Sequence, residues 1–383
     1  YGEYSGDPSE TLTFEYANTI LKLLLADATP NKILLIGGGI ANFTNVADTF
    51  QGIARAIERH AALLRERSVK IYVRRGGPNY QQGLQMMKQL GVRTNVSIEV
   101  FGPETHLTKI CSMALCPETI KTNVDDDNNN SNNNAGSGNI VKMGRTESSS
   151  SLDDQANTSD SESVGPNPTP VPTKPLLPYE LFNVSSRSIV YGMQPRAVQG
   201  MLDFDHICGR AAPSVVAMVF PFSGNHFQKF YWGSKEIVIP VYEKLQQATT
   251  KHTDANTLVN FASCRSVYDT VDEALDWPQL RTIAVIAEGV PERRTRQLIA
   301  KAKAKNVVLI GPATVGGIKP GVFRIGNTGG MLDNVIASRL YRPGSVAYVS
   351  RSGGLSNELN NICRQVADGV YEGIAIGGDR FPG

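Results

Sequence analysis

The sequence predicts an α/β protein in which parallel sheets are covered by helices and the folded parts are separated by a linker. Three observations carry that expectation. Short apolar runs rich in β-branched residues alternate with helical patterns, the grammar of βαβ units. Several of these runs end in small residues at a helix start, as at Gly37-Gly38-Gly39, Gly192-Met193-Gln194 and Ser352-Gly353-Gly354. From about Pro117 to Lys174 an acidic, Asn-rich run, a serine run and a Pro-rich run leave almost nothing to form a core.

In chain order, Asp7-Pro8-Ser9-Glu10 offers a cap at Asp7 and Pro at the first helical position. A helix is therefore expected from about Pro8 to Asp27, burying Leu12, Tyr16, Ile20 and Leu24. Lys32 to Ile36 reads as a strand and Gly37 to Thr44 as a glycine loop, followed by a helix with Val46, Phe50, Ile53 and Ile57 on its buried stripe. Val69 to Val73 reads as a strand entering Arg74-Arg75-Gly76-Gly77-Pro78; then come a helix near Tyr80 to Leu90, a strand near Ser97 to Phe101 and a helix over Thr108 to Leu115. The linker, roughly 60 residues, is too long for a structureless loop inside one compact domain and marks a boundary.

Beyond it, Ser188 to Tyr191 is expected as a strand, with further βα steps at Val215 to Phe220, Ile237 to Leu245, Thr257 to Phe261, Thr282 to Ala287 and Val307 to Ile310. Finally Val346 to Val349 reads as a strand, and Leu355, Leu359, Ile362 and Val366 as the apolar face of a closing helix.

The totals exclude several functions. Lys plus Arg number 38 against 36 Asp plus Glu, so a net charge of +2 argues against a dedicated nucleic-acid or membrane-surface binder. No apolar stretch approaches a membrane span, and Tyr1-Gly2-Glu3-Tyr4 does not open a signal peptide. Cysteines 111, 116, 208, 264 and 363 form no C-x-x-C pair, which suits reduced, mostly buried thiols in the cytosol and no metal site. The five histidines share no motif. Without an initiating Met, and ending on Phe381-Pro382-Gly383, the chain reads as an internal piece of a longer one.

In parallel sheets all strands end on one edge, where ligands collect, so the glycines after Ile36 and the arginines after Val73 should be neighbours. Helix N-termini supply unpaired N–H donors and arginine a planar fork, a combination that suits a small polycarboxylate or a phosphate. Arg196, Lys235 and Arg265 lie at or near strand ends of the second half and suit the phosphates of a large nucleotide. Glu358, one turn into its helix, either steadies a group held at that helix end or stabilises its own first turn.

Three segments carry a resemblance: Gly311-Pro312-Ala313-Thr314-Val315-Gly316-Gly317-Ile318-Lys319-Pro320-Gly321, Ile325-Gly326-Asn327-Thr328-Gly329-Gly330 and Ser350-Arg351-Ser352-Gly353-Gly354. They resemble the nucleoside-diphosphate-forming acyl-CoA synthetase superfamily. Ile40-Ala41-Asn42-Phe43-Thr44-Asn45, Arg196-Ala197-Val198-Gln199-Gly200 and Lys229-Phe230-Tyr231-Trp232-Gly233 are similar to its citrate-cleaving branch. The resemblance implies a partial flavodoxin-like, citrate-binding ligase domain over 1–117, a disordered linker over 118–184, a Rossmann-like CoA-binding domain over 185–340 and the start of a second flavodoxin-like domain over 341–383.

It also implies a reaction. ATP phosphorylates a histidine, the phosphoryl group passes to citrate, CoA displaces it, and cleavage gives acetyl-CoA, for lipid synthesis, and oxaloacetate. Gly39, Ala41, Asn42, Phe43, Thr44 and Arg75 match citrate positions, with Gly39 standing where relatives have Ser. Ser352, Gly353 and Gly354 match a helix end receiving the phosphohistidine, and Glu358 the carboxylate steadying it. Gly192, Gln194, Arg196, Lys235, Ser263, Arg265 and Glu288 match the CoA side. The family's Gly-His-Ala-Gly motif does not occur in this sequence, so the chain is expected to bind citrate and CoA without turnover, with ATP and Mg2+ bound elsewhere in a homotetramer. Thr146 and Ser148, near Lys142 and Arg145, suit a basophilic kinase. A succinyl-CoA synthetase-like ligase and a non-catalytic CoA-binding scaffold remain the alternatives.

Overall fold

The computed structural model describes residues 8–26, 29–115 and 180–379. Most of the expected linker, with Thr146 and Ser148, and Cys116 lie outside the described residues. The described residues up to 115 and from 181 onward cluster as one compact unit.

Its first sheet is parallel, in the order β1 (Ile33–Ile40), β2 (Lys70–Gly76), β3 (Ser97–Phe101). Helices α1 (Glu10–Leu24), α2 (Val46–Glu66) and α3 (Tyr80–Thr94) bury their apolar residues in one core, with Leu21, Phe50, Ile57, Val73 and Met87 at its centre. A short α4 (Lys109–Leu115) packs Ile110 and Ala114 near Tyr72. The cap of α1 is Ser9, whose Oγ accepts from Leu12 N, so the helix starts later than the Asp7 signal implied. Its buried positions are Thr13, Leu21 and Leu24, and Leu12 is exposed.

The Gly37 to Gly39 stretch is not a loop. β1 continues through it to Ile40, pairing Gly37 with Arg74 and Ile40 with Gly76 across a register irregularity. The true connection is Ala41–Asn45, where Asn45 caps α2 by accepting from Ala47 N at 3.1 Å. With no Cβ, the glycines keep the strand paired while other groups close on it.

The second sheet has seven strands in the order β10 (Val308–Ile310), β9 (Thr282–Val285), β8 (Thr257–Asn260), β4 (Ser188–Tyr191), β5 (Val215–Val219), β7 (Lys235–Tyr242), β6 (His226–Trp232). Helices α5 (Pro195–Ile207), α6 (Leu245–Lys251), α7 (Val267–Ala274) and α8 (Glu292–Lys305) cover it. Strands β6 and β7 form an antiparallel hairpin through Gly233-Ser234, with Trp232 opposite Lys235. The expected βα step over Ile237 to Leu245 is present as β7 running into α6; what the sequence did not show is β6 before it, folded back by the two-residue turn with Gly233 at positive φ. Consequently Lys235 begins β7 at the edge opposite the carboxyl ends of β4, β5 and β8.

The third sheet runs β12 (Phe323–Arg324), β11 (Gly316–Lys319), β14 (Val370–Ala375), β13 (Val346–Ser350). It draws two strands from before residue 341, so the expected 185–340 segment feeds two sheets. A short α9 (Leu332–Ala337) precedes β13, and α10 (Gly353–Val366) follows it. α10 does not bury the expected apolar face. It buries Ser356, Asn357, Glu358, Asn360 and Cys363, while Leu355 and Val366 are exposed. The reason is what it packs on: the glycine-rich end of β1 and the arginine end of β2 present polar backbone and charge rather than an apolar surface. Among the described cysteines, Cys111 and Cys264 are exposed, Cys208 is half-buried and Cys363 is buried, so the thiols are less buried than expected.

Candidate functional site

The carboxyl ends of β1, β2 and β13 open on one cleft of about 840 Å³. It brings together Gly39, Ala41, Asn42, Phe43, Thr44 and Arg75 from the first sheet with Ser352, Gly353, Gly354 and Glu358 from the third. The N-terminus of α10 lines the cleft through Ser352 to Leu355, while at α2 the segment just before the helix, Ala41 to Thr44, lines it and the first helical N–H groups are taken, Val46 N by Pro78 O at 3.0 Å and Ala47 N by Asn45 Oδ1 at 3.1 Å. Ser352 caps α10 through Oγ, which accepts from Leu355 N at 3.3 Å. Both ends carry the positive pole of their helix, so the cleft favours an anion.

Arg75 supplies the charged fork. It makes no hydrogen bond or ion pair with the described residues, and its guanidinium lies over Gly38, where a Cβ would sit 1.9 Å from Nη1. Gly38 is therefore what lets the arginine reach the cleft. Burial lowers the Arg75 pKa below the ordinary guanidinium value; the like charge of Arg74 adds to this and Glu358 opposes it.

Arg74, next along the strand, points the opposite way, as alternation on a strand requires. It is fully buried, and every N–H of its guanidinium has an acceptor. Nη1 and Nη2 donate to Glu358 Oε1 and Oε2 at 2.5 and 3.1 Å, Nε to Thr105 O at 3.0 Å, and the remaining N–H groups to Gly38 O and Pro103 O at 3.2 and 3.3 Å. Glu358 also accepts from Ile40 N at 2.8 Å. Arg74 and Ile40 N thus take up the Glu358 carboxylate, to which the resemblance gave the role of steadying the phosphohistidine.

Asn357 is a residue that sequence reasoning passed over. Its Nδ2 donates to Ile40 O at 2.8 Å and Asn42 Oδ1 at 3.0 Å, which orients the Asn42 carboxamide. A Cβ on Gly353 would stand 3.1 Å from Asn42 Nδ2 and 2.7 Å from Val315 Cγ1, so glycine there allows the two segments to close. Arg351, also on the cleft wall, donates to Asp379 O at 2.8 Å.

Glu288, expected among the CoA residues, is exposed and lines this cleft instead. Asp379 Oδ2 accepts from the neighbouring Gly289 N at 3.1 Å and ties the Glu288 loop to the end of β14. The other CoA candidates form a separate group: Gly192, Gln194 and Arg196 follow β4, while Ser263 and Arg265 follow its parallel neighbour β8. Asn260 shapes the β8 loop, accepting from Ala262 N at 2.8 Å and donating to Thr270 Oγ1 at 2.8 Å. Gln194, Arg196, Ser263 and Arg265 are exposed. Lys235, at the opposite edge, stands apart from them.

Residues 1–117 match the family model described as ATP citrate lyase citrate-binding, and residues 183–289 match the CoA binding domain model. Along its whole length the chain is 56% identical to the ATP-citrate synthase of Mus musculus and 51% identical to the probable ATP-citrate synthase of Caenorhabditis elegans. The chain is a homologue of ATP-citrate synthase. It spans 35% and 34% of the length of those two relatives. A solved ATP citrate lyase from Methanothrix soehngenii, in complex with citrate and coenzyme A, is 50% identical with a TM-score of 0.52, covering 53% of this chain and 33% of that one. ATP-citrate synthases are thus its relatives in sequence and in fold, and the mixed α/β architecture with its parallel sheets agrees with the sequence expectation.

Proposed function

We propose that the chain is the citrate-holding and CoA-holding portion of an ATP-citrate synthase. The observation that carries the reading is the shared cleft, in which two helix N-termini and an unpaired arginine face one space. Citrate carries three carboxylates and a hydroxyl, and the donors on hand match them. Arg75 offers a planar fork to one carboxylate; Asn42 to Thr44, just ahead of α2, offer backbone and side-chain donors to another. The α10 end, Ser352 to Gly354, receives the phosphoryl group carried on a histidine from outside these residues. Glu288, exposed on the wall and free of hydrogen bonds among the described residues, is the carboxylate placed to orient that imidazole; Glu358 is not.

CoA is held at the carboxyl edge of β4 and β8 by Gly192, Gln194, Arg196, Ser263 and Arg265. Both arginines are exposed and make no ion pair with the described residues, which leaves them for phosphates. Lys235 is too far round the sheet to join them. ATP and Mg2+ are assigned to other parts of such an enzyme, the assembly to a homotetramer in the cytosol, the product to lipid synthesis, and a protein kinase to Thr146 and Ser148. Among the described residues no helix is long and apolar enough to cross a membrane.

Amide hydrogen exchange with and without citrate tests the site. Protection confined to the Ile40–Asn45 and Ser352–Leu355 segments is expected; protection in only one of them, or elsewhere, contradicts the shared cleft.

A further inference from the structure

We infer that the Arg74–Glu358 pair is a positioning device: it sets the α10 N-terminus against the end of β1, so that both helix ends and Arg75 address one ligand. The inference rests on the citrate reading and extends it to residues that need not touch the ligand. The two partners lie 284 positions apart in sequence, one on β2 and one on α10, and their side chains are 0% and 3% exposed. Their fork-to-fork geometry fixes rotation as well as distance, which a single point contact would not do.

The same carboxylate reaches Ile40 N at 2.8 Å, at the residue where β1 gives way to the Ala41–Thr44 segment. Arg74 Nη1 meanwhile holds Gly38 O at 3.2 Å, directly under the Arg75 guanidinium. One ion pair thus grips the backbone on both sides of Gly39. Gly39 itself is pressed between them: a Cβ there would be 3.1 Å from Gly354 O and 3.5 Å from Glu358 Cγ. Asn357 and Asn361 extend the grip along the same helix face, to Ile40 O at 2.8 Å and Pro103 O at 3.0 Å.

A pair kept only for stability is replaceable by well-packed apolar side chains, because burying two charges costs about what their attraction returns. The two roles differ in whether loss of the pair is felt at the citrate site alone or also at the CoA site. The double variant R74M/E358L also strips partners from Ile40 N and from the Gly38, Thr105 and Pro103 carbonyls, so it is predicted to melt lower than wild type yet to bind CoA unchanged, while its citrate dissociation constant rises at least tenfold by calorimetry. R74K, which keeps the charge and loses the fork, is predicted to weaken citrate by a smaller factor. Amide exchange of Ile40 to Thr44 in the absence of ligand is a second readout, predicted to speed up at least tenfold in the double variant. Wild-type citrate affinity in R74M/E358L overturns the inference. If wild type binds no citrate, the citrate reading fails, and the exchange measurement alone decides: unchanged rates from Ile40 to Thr44 then overturn the positioning role.

Discussion

At the residue scale the site turns on two adjacent arginines with opposite duties. The sequence pattern placed both arginines at the ligand edge, and only the resemblance singled out Arg75. That Arg74 would meet Glu358 from the far end of the sequence was not legible, because no local pattern records a partner 284 positions away. A third charged residue gives a pH signature. Burial pushes the Asp205 carboxyl up to about 6, although Ser214 N donates to it at 2.7 Å and Arg210 stands 3.4 Å away. An unfolded aspartate titrates near 3.9. The folded state holds its proton longer, so this contribution to stability is complete below about pH 4 and is lost as the pH rises to about 6, a change of at most roughly 3 kcal/mol. Urea unfolding of wild type and D205N at pH 4.5 and 7 should show that the substitution removes part of the decline; identical pH slopes would speak against it.

At the element scale α10 explains why the sequence misled. Leu355, Leu359, Ile362 and Val366 have the spacing of an apolar stripe, and periodicity assigns such a stripe to the core. The helix instead buries Asn357, Glu358 and Asn360, because the surface awaiting it is the polar end of two strands. β1 teaches a similar lesson: glycines that read as a loop stay in the strand, and their missing side chains are filled by Arg75 and by α10. Strand β3, bounded by a helix cap and a turn, was legible to the residue. Where α1 crosses α2, Gly52 has no room for a Cβ, which would lie 2.2 Å from Thr13 Oγ1 and 2.3 Å from Glu10 O. Gly52→Ala should therefore cost about 1 to 3 kcal/mol through overpacking, despite better helix propensity. Equilibrium unfolding in urea checks it, and a variant as stable as wild type would mean the crossing is looser than described.

At the scale of the whole molecule, the order of βα units was legible because each unit carries its own periodicity. The seven-stranded sheet's hairpin and the third sheet's borrowed strands were not, since they depend on pairing between segments that look unremarkable alone. What the three sheets accomplish together is the meeting of two helix ends at one cleft. On the proposed citrate reading, neither end alone distinguishes a tricarboxylate from any other small anion, and the pairing with Arg75 is what would.

Titration calorimetry of this chain with citrate and with succinate, repeated on R75A, tests that claim most directly. Citrate should bind more tightly than succinate, and Arg75→Ala should weaken citrate at least tenfold, about 1.4 kcal/mol or more, while leaving CoA binding as it was. Equal affinity for the two acids, or an R75A variant that holds citrate as wild type does, would contradict it.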